Sequence, residues 1–106
     1  MLLPAAVLAV TLAACGERNV CSEDGEIEAF VMSQRFVTNA LRAPATARFP
    51  YITASGVSST HRGGCLFRVR AYVDAQNGFG ANIRTAYQAD VEYTSGGRWR
   101  LVDLTM

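Results

Sequence analysis

The sequence of 106 residues contains no lysine, a single histidine and no apolar run long enough to span a membrane. A membrane-spanning helix needs about 20 apolar residues, whereas the longest apolar stretch covers residues 1–14 and stops at Cys15. Without lysine, the glycines on either side of Phe79 cannot belong to a phosphate loop, which requires Gly-Lys-Ser/Thr. His61 lies among hydroxyl residues in a Gly-rich segment without a positioned base and orienting group, so we expect no enzymatic activity.

The apolar stretch ends in a four-residue pattern, Leu12-Ala13-Ala14-Cys15. This pattern resembles the lipobox of bacterial lipoproteins, in which the cysteine is lipidated and becomes the first residue of the mature protein. The resemblance implies a signal peptide over residues 1–14 and a lipid on Cys15 that attaches the protein to the membrane, since several acyl chains together hold a protein firmly. Gly16 after the cysteine is typical of an outer-membrane destination, with the domain facing the periplasm.

Ordinary secretory cleavage is the main alternative, because every signal peptide has an apolar core and small residues at its end. Leu12 is larger than ordinary cleavage sites prefer, and Cys15 directly follows two alanines, so lipoprotein processing is favoured. The basic segment that usually opens a signal peptide is missing here. A buried helix fits poorly, because Pro4 and Thr11 interrupt a segment that is apolar on every side.

With Cys15 assigned to the lipid, Cys21 and Cys65 remain. Two thiols in an oxidising compartment favour one disulfide, which we predict between these residues. Closing a loop of this length stabilises a protein by about 4 kcal/mol on the chain-entropy account. Two cysteines and His61 fall short of a tetrahedral metal site, so we expect no metal and no cofactor.

Charge is unevenly distributed along a chain whose formal net charge is +1. Acidic residues crowd residues 17–28, and arginine outnumbers them afterwards. Arg68, Arg70 and Arg84 form a candidate basic face for an acidic protein, peptidoglycan or lipid headgroups, and we expect no nucleic acid as a partner of an envelope protein. The favoured alternative is a solvated sheet face on which opposite charges pair across strands.

Helical periodicity begins near Glu26 and continues to Arg42, with Pro44 marking its end. Residues 15–25 are polar and are predicted to form a lipidated tether. Residues 26–106 are long enough for one small domain and too short for two.

Beyond Pro44 the period changes to the alternation of half-buried strands. We predict a first strand at 48–52 and turn-like segments between 55 and 64. Clearer strands are predicted at 67–74, 83–93 and 98–104. The expected fold is α+β, with one N-terminal amphipathic helix packed on a three- to four-stranded antiparallel meander and Trp99 in the contact between them.

The middle of the chain carries a recognisable string, Val73-Asp74-Ala75-Gln76-Asn77-Gly78-Phe79-Gly80-Ala81. It resembles a Val-Asp-Ala-Gln-Asn-x-Phe-Gly-Ala motif of small, uncharacterised exported bacterial proteins. The resemblance implies a domain type and no particular activity.

Asp74, Gln76, Asn77 and Phe79 within this string are a candidate recognition loop. The favoured alternative is turn chemistry, in which Asn and Gly shape the turn and Phe79 covers the core.

Together these patterns predict a lipid-anchored binding or scaffolding protein of the cell envelope, without catalysis. We expect an envelope protein partner at an exposed sheet edge, by strand addition, or on the arginine-bearing face. The alternative is a lipoprotein inhibitor or immunity protein that acts on a secreted or periplasmic enzyme through the loop 74–80.

Overall fold

The computed structural model describes residues 19–106, so the lipobox-like pattern ending at Cys15 lies outside the described residues. Within residues 19–106 the helix α1 (Glu26–Ala40) is followed by four strands. These are β1 (Ser58–His61), β2 (Leu66–Gln76), β3 (Asn82–Ser95) and β4 (Arg98–Thr105), and short 3-10 helices lie at Glu23–Gly25 and Pro44–Thr46. The predicted α+β class is confirmed, although the helix is not strictly N-terminal because a folded segment precedes it.

The helix begins where the sequence predicted and ends two residues before Arg42. Its first turn contains Glu26 and Glu28, where the positive end of the helix dipole favours acidic side chains. Leu41 is already extended, with a ψ of 154°. The buried side chains of α1 recur at helical spacing and face the sheet: Ala29, Phe30, Ser33 and Val37.

Strands that follow one another along the chain pair antiparallel, in the order β1-β2-β3-β4, as predicted for a meander. The longest pairing joins β2 and β3, from Leu66 opposite Glu92 to Gln76 opposite Asn82. Alternate residues of β2 are buried against α1: Phe67, Val69, Ala71, Val73 and Ala75. The alternation in the sequence therefore determines which face of the sheet forms the core.

Trp99 on β4 lies on this inner face, where it packs partly buried against the core. Its ring contacts Phe67, with centroids 5.5 Å apart, and Tyr93, with centroids 5.4 Å apart. The predicted place of Trp99 beside the helix-facing core agrees with these contacts.

The prediction of a strand at 48–52 is wrong, and so is the prediction of a turn through Ser58–His61. Arg48 forms only an isolated bridge with Asp74, through backbone hydrogen bonds of 2.8 and 2.9 Å, whereas β1 is the edge strand. The sequence pattern did not indicate β1 because its inward-facing residues are polar and make specific contacts, so no apolar alternation marks the strand. The hydroxyl of Ser59 donates to the backbone oxygen of Glu26 at 2.6 Å, and the ring of His61 lies 5.2 Å from that of Phe67.

Candidate functional site

The predicted disulfide between Cys21 and Cys65 is confirmed, with Cα atoms 4.4 Å apart. It joins the segment before α1 to the turn that precedes β2. That turn contains Gly63 and Gly64, whose φ angles of 103° and 55° favour glycine. The disulfide therefore attaches the chain that follows Cys15 to the β1–β2 end of the sheet.

Part of the predicted tether is folded onto the domain. Asn19 accepts the backbone N–H of Cys21 on its side-chain oxygen at 3.0 Å, and its backbone oxygen accepts the Ser22 hydroxyl at 2.6 Å. Gly25 is buried against Phe67 and the backbone oxygen of Val20. The segment was predicted to be a tether because its composition is polar. Its folding depends on local hydrogen bonds, which do not require apolar residues.

The candidate recognition loop has the turn chemistry that its sequence predicts. The side-chain oxygen of Asn77 accepts the backbone N–H groups of Phe79 at 2.9 Å and Ala81 at 3.0 Å. Gly80 adopts a φ of 81°, in the left-handed region. The loop is therefore held by hydrogen bonds at its base.

Phe79 does not cover the core, contrary to the turn interpretation, because it is 97% exposed at the tip of the β2–β3 hairpin. Asp74 is bonded instead to Arg84, and the backbone N–H of Gln76 donates to the Thr46 hydroxyl at 2.9 Å. Of the predicted loop residues, Phe79 thus has the side chain most available for contact.

Shallow depressions flank this hairpin. One, of about 240 Å³, lies between the end of α1 and the base of the hairpin and includes Leu41, Arg42, Asn77 and Ile83. Another, of about 390 Å³, is lined by Thr46 and Asn82 and also includes Ile83, which is 45% exposed. We call Leu41, Arg42, Phe79 and Ile83 the distal surface.

The sequence pattern did not indicate Leu41, Arg42 and Ile83 as part of a functional surface. Ile83 lies opposite Ala75, at a position that alternation assigns to the core face. It remains exposed because α1 ends at Ala40 and does not extend over it. No local sequence signal reports this, since it depends on where one element stops relative to another.

The three arginines of the predicted basic face lie on the outer face of the sheet, and each has a partner. The guanidinium of Arg68 binds both carboxylate oxygens of Asp90, at 2.9 and 3.1 Å. Arg84 binds Asp74 in the same two-bond arrangement, at 2.8 and 2.9 Å. Arg70 donates to the side-chain oxygen of Gln88 at 2.9 Å.

These cross-strand bonds support the alternative of a solvated, charge-paired face for two of the three arginines. The hydrogen bond from Arg68 lowers the pKa of Asp90, and the bond from Arg84 lowers that of Asp74. The guanidinium of Arg84 also lies 4.1 Å above the ring of Tyr72. Arg68 and Arg84 are therefore less available to a partner than the sequence alone suggests.

Comparison with protein families, with curated proteins and with solved structures finds no match for this chain. Across residues 19–106, no group of three or more His, Cys, Asp or Glu side chains is arranged to hold a metal ion. None of the helices in that range is both long and apolar enough to cross a membrane.

Proposed function

We propose that this protein is a lipid-anchored binding or scaffolding protein of the bacterial envelope, attached through Cys15 and facing the periplasm. The observation that carries the proposal is the position of Phe79, exposed over 97% of its surface at the tip of a hydrogen-bonded hairpin. Large aromatic side chains are typical anchors of protein interfaces. A rigid turn that presents one loses little conformational entropy on binding.

The positions of the two ends of β2 support a particular orientation of the domain relative to the bilayer. Cys21 follows Cys15 by six residues, a chain length that spans at most about 20 Å. The disulfide then joins Cys21 to Cys65, immediately before β2. The 11 residues of β2 separate Cys65 from the hairpin tip by roughly 35 Å. In the proposal, the distal surface is therefore directed away from the bilayer, toward an envelope partner.

The proposal assigns the protein no catalytic role. The one histidine, His61, is engaged within its own hairpin, where Nε2 lies 2.8 Å from the backbone oxygen of Gly64. Its ring packs against Phe67, and its backbone N–H donates to Glu26 at 2.8 Å. These contacts support a structural role for His61.

An inhibitor or immunity protein that acts on a secreted or periplasmic enzyme is the second candidate. The protruding ring of Phe79, beyond the depressions near the base of its hairpin, suits insertion into a concave enzyme site. This candidate uses the same distal surface, so the partner distinguishes the two. A partner that is a hydrolase or toxin, and loses activity on binding, would favour inhibition over scaffolding.

The anchor is tested by the intact mass of the protein purified from bacterial membranes. We expect residues 15–106 plus several acyl chains, and a gain of two hydrogens on reduction of the disulfide. We also expect the Cys15→Ser variant to be absent from the membrane fraction. A membrane-bound Cys15→Ser protein would rule out the proposed anchor.

The distal surface is tested by replacing Phe79 with a photoreactive phenylalanine analogue in cells. Tyr51 provides a matched control, because it is an aromatic residue outside the hairpin with 85% exposure. We expect a specific crosslinked envelope protein from position 79, absent from position 51, and loss of its co-purification in Phe79→Ser but not in Tyr51→Ser. Equal crosslinking from both positions would contradict the proposal.

A further inference from the structure

We propose that Arg62, Arg68 and Arg70 form a binding site for a phosphate group on the outer face of the β1–β2 hairpin. The pairing of Ser58 with Arg70 and of Thr60 with Arg68 places these four side chains on the same face. Together with Arg62 they line a cavity of about 50 Å³. This site lies at the end of the sheet joined to Cys21, opposite the distal surface.

The site retains unused hydrogen-bond donors. Arg68 commits Nε and Nη2 to Asp90, which leaves the N–H groups of Nη1, and Arg70 commits only Nε, to Gln88. The guanidinium of Arg62 makes no hydrogen bond to any side chain or backbone group of residues 19–106. Guanidinium groups bind phosphate oxygens through paired N–H donors, and the hydroxyls of Ser58 and Thr60 lie on the same cavity wall.

Positive charge is in excess here, unlike elsewhere on the outer face. The pairs Arg84–Asp74 and Arg100–Glu92 each balance one cation with one anion. Asp90, in contrast, bonds Arg68 and lies in the field of two further guanidiniums, those of Arg62 and Arg70. The hydrogen bond from Arg68 is the main cause of its lowered pKa, and the charges of Arg62 and Arg70 lower that pKa further.

Asp103 lies opposite Asp90 on β4 and interacts with Arg68 from that side. Asp90 on β3 and Asp103 on β4 therefore balance the charge of Arg68. Arg62 and Arg70, on the side of the cavity nearer β1, have no carboxylate of their own within the described part of the chain. An anion bound there would relieve the mutual repulsion of these guanidiniums.

The size of the cavity selects the ligand. The depression of about 50 Å³ is small and polar, since three arginines and two hydroxyl residues line it, so it suits a small oxyanion rather than a large apolar group. A tetrahedral phosphate directs its oxygens several ways and can accept from both strands and from Arg62 at once, whereas a planar carboxylate cannot. The phosphate belongs either to a phospholipid headgroup or to a small soluble phosphate.

Titration of the full chain, purified from membranes in a nonionic detergent, tests the site. The NMR signals of the arginine Nε–H groups are followed as inorganic phosphate replaces chloride at constant ionic strength. We expect saturable shifts at Arg62 and Arg70. Arg62→Gln and Arg70→Gln should each weaken binding about tenfold or more, because each removes charge-assisted hydrogen bonds. Arg35→Gln, the same change of charge on the exposed side of α1, should leave binding unchanged.

Dihexanoyl phosphatidylglycerol, titrated in the same way, distinguishes a lipid headgroup from a soluble phosphate as the source of the bound group. Binding at least tenfold tighter than that of inorganic phosphate assigns the site to a lipid headgroup, and equal or weaker binding assigns it to a soluble phosphate. Shifts that fail to saturate, equal weakening by Arg35→Gln, or equally tight binding of a short polyglutamate would overturn the proposal. Phe79→Ser should leave phosphate binding unchanged, so this site and the distal surface are tested independently.

Discussion

The hydroxyl of Tyr87 donates a hydrogen bond to Ser33 Oγ across the interface between β3 and α1, at 2.9 Å. Ser33 has one hydroxyl hydrogen, which it donates to the backbone oxygen of Phe30 at 2.7 Å. It must therefore accept from Tyr87, which needs its proton to make this bond. Both residues are buried, so this polar pair fixes the position of the helix on the sheet.

The first prediction concerns stability at alkaline pH. Burial raises the pKa of Tyr87 above its ordinary value, so as the pH rises the unfolded state loses this proton before the folded state does. The contribution is fully present below about pH 10 and is lost as the pH rises through the folded-state pKa. Urea denaturation between pH 7 and 11 should show a decline that is reduced in Tyr87→Phe. Tyr51→Phe, at an exposed position, should behave like the wild type.

At neutral pH, Tyr87→Phe should cost about 1 kcal/mol of unfolding free energy, since it removes one buried hydrogen bond while Ser33 keeps its bond to Phe30. An alkaline decline of equal size in Tyr87→Phe and in the wild type would show that Tyr87 does not cause it.

The second prediction concerns the disulfide. Cys21→Ser and Cys65→Ser should each lower the free energy of unfolding by about 2–4 kcal/mol, because the crosslink restricts the unfolded chain over a separation of 44 residues. Reductant should destabilise the wild type by a similar amount and leave both variants unchanged. A reductant effect on either variant would show that another reducible bond contributes.

The third prediction concerns Gly25, which is buried ahead of α1. An added Cβ would collide with the backbone oxygen of Val20 and lie 2.8 Å from Cζ of Phe67. Gly25→Ala should therefore destabilise the protein by about 1–3 kcal/mol, the usual cost of overpacking. Gly78→Ala is the matched control, because within residues 19–106 its Cβ would meet only Arg42 Nη1, at 3.8 Å. Thermal denaturation should separate the two variants clearly, and equal melting temperatures would contradict this account.

The fourth prediction concerns acid stability. Because Arg68 lowers the pKa of Asp90, the unfolded state takes up a proton at this carboxylate before the folded state does. The stabilisation is present above about pH 4 and is lost as the pH falls through the folded-state pKa. The difference in stability between wild type and Asp90→Asn should therefore be largest near neutrality and narrow in acid. In an Arg68→Gln background the same comparison should narrow less, because the hydrogen bonds that lower the pKa of Asp90 are absent. A difference that stays constant from pH 6 to pH 2 would contradict the prediction.

Local patterns determined much of the fold. Helical spacing from Glu26 onward places Phe30, Ser33 and Val37 on one face, and alternation from Phe67 to Asp74 places successive side chains on opposite faces of the sheet. The Asn and Gly residues after Gln76 specify the turn between β2 and β3. Each of these features depends on neighbours within a few residues, so the sequence alone was sufficient.

Other features depend on distant partners. β1 is polar, and its pairing with β2 and the contact of Ser59 with Glu26 became apparent only in the folded chain. Composition shows an excess of arginine, but the strand register decides that Arg68 meets Asp90 and that Arg84 meets Asp74. The exposure of Ile83 likewise follows from where α1 ends.

The sequence by itself determined the helix, the three strands β2, β3 and β4, the buried face of β2 and the pair of cysteines available for a disulfide, because these follow from periodicity and from residue chemistry. The tertiary structure alone decided which charges cancel and which remain, and which apolar side chains stay uncovered. The physical reason is that ion pairing and burial are set by distances between segments far apart in the chain.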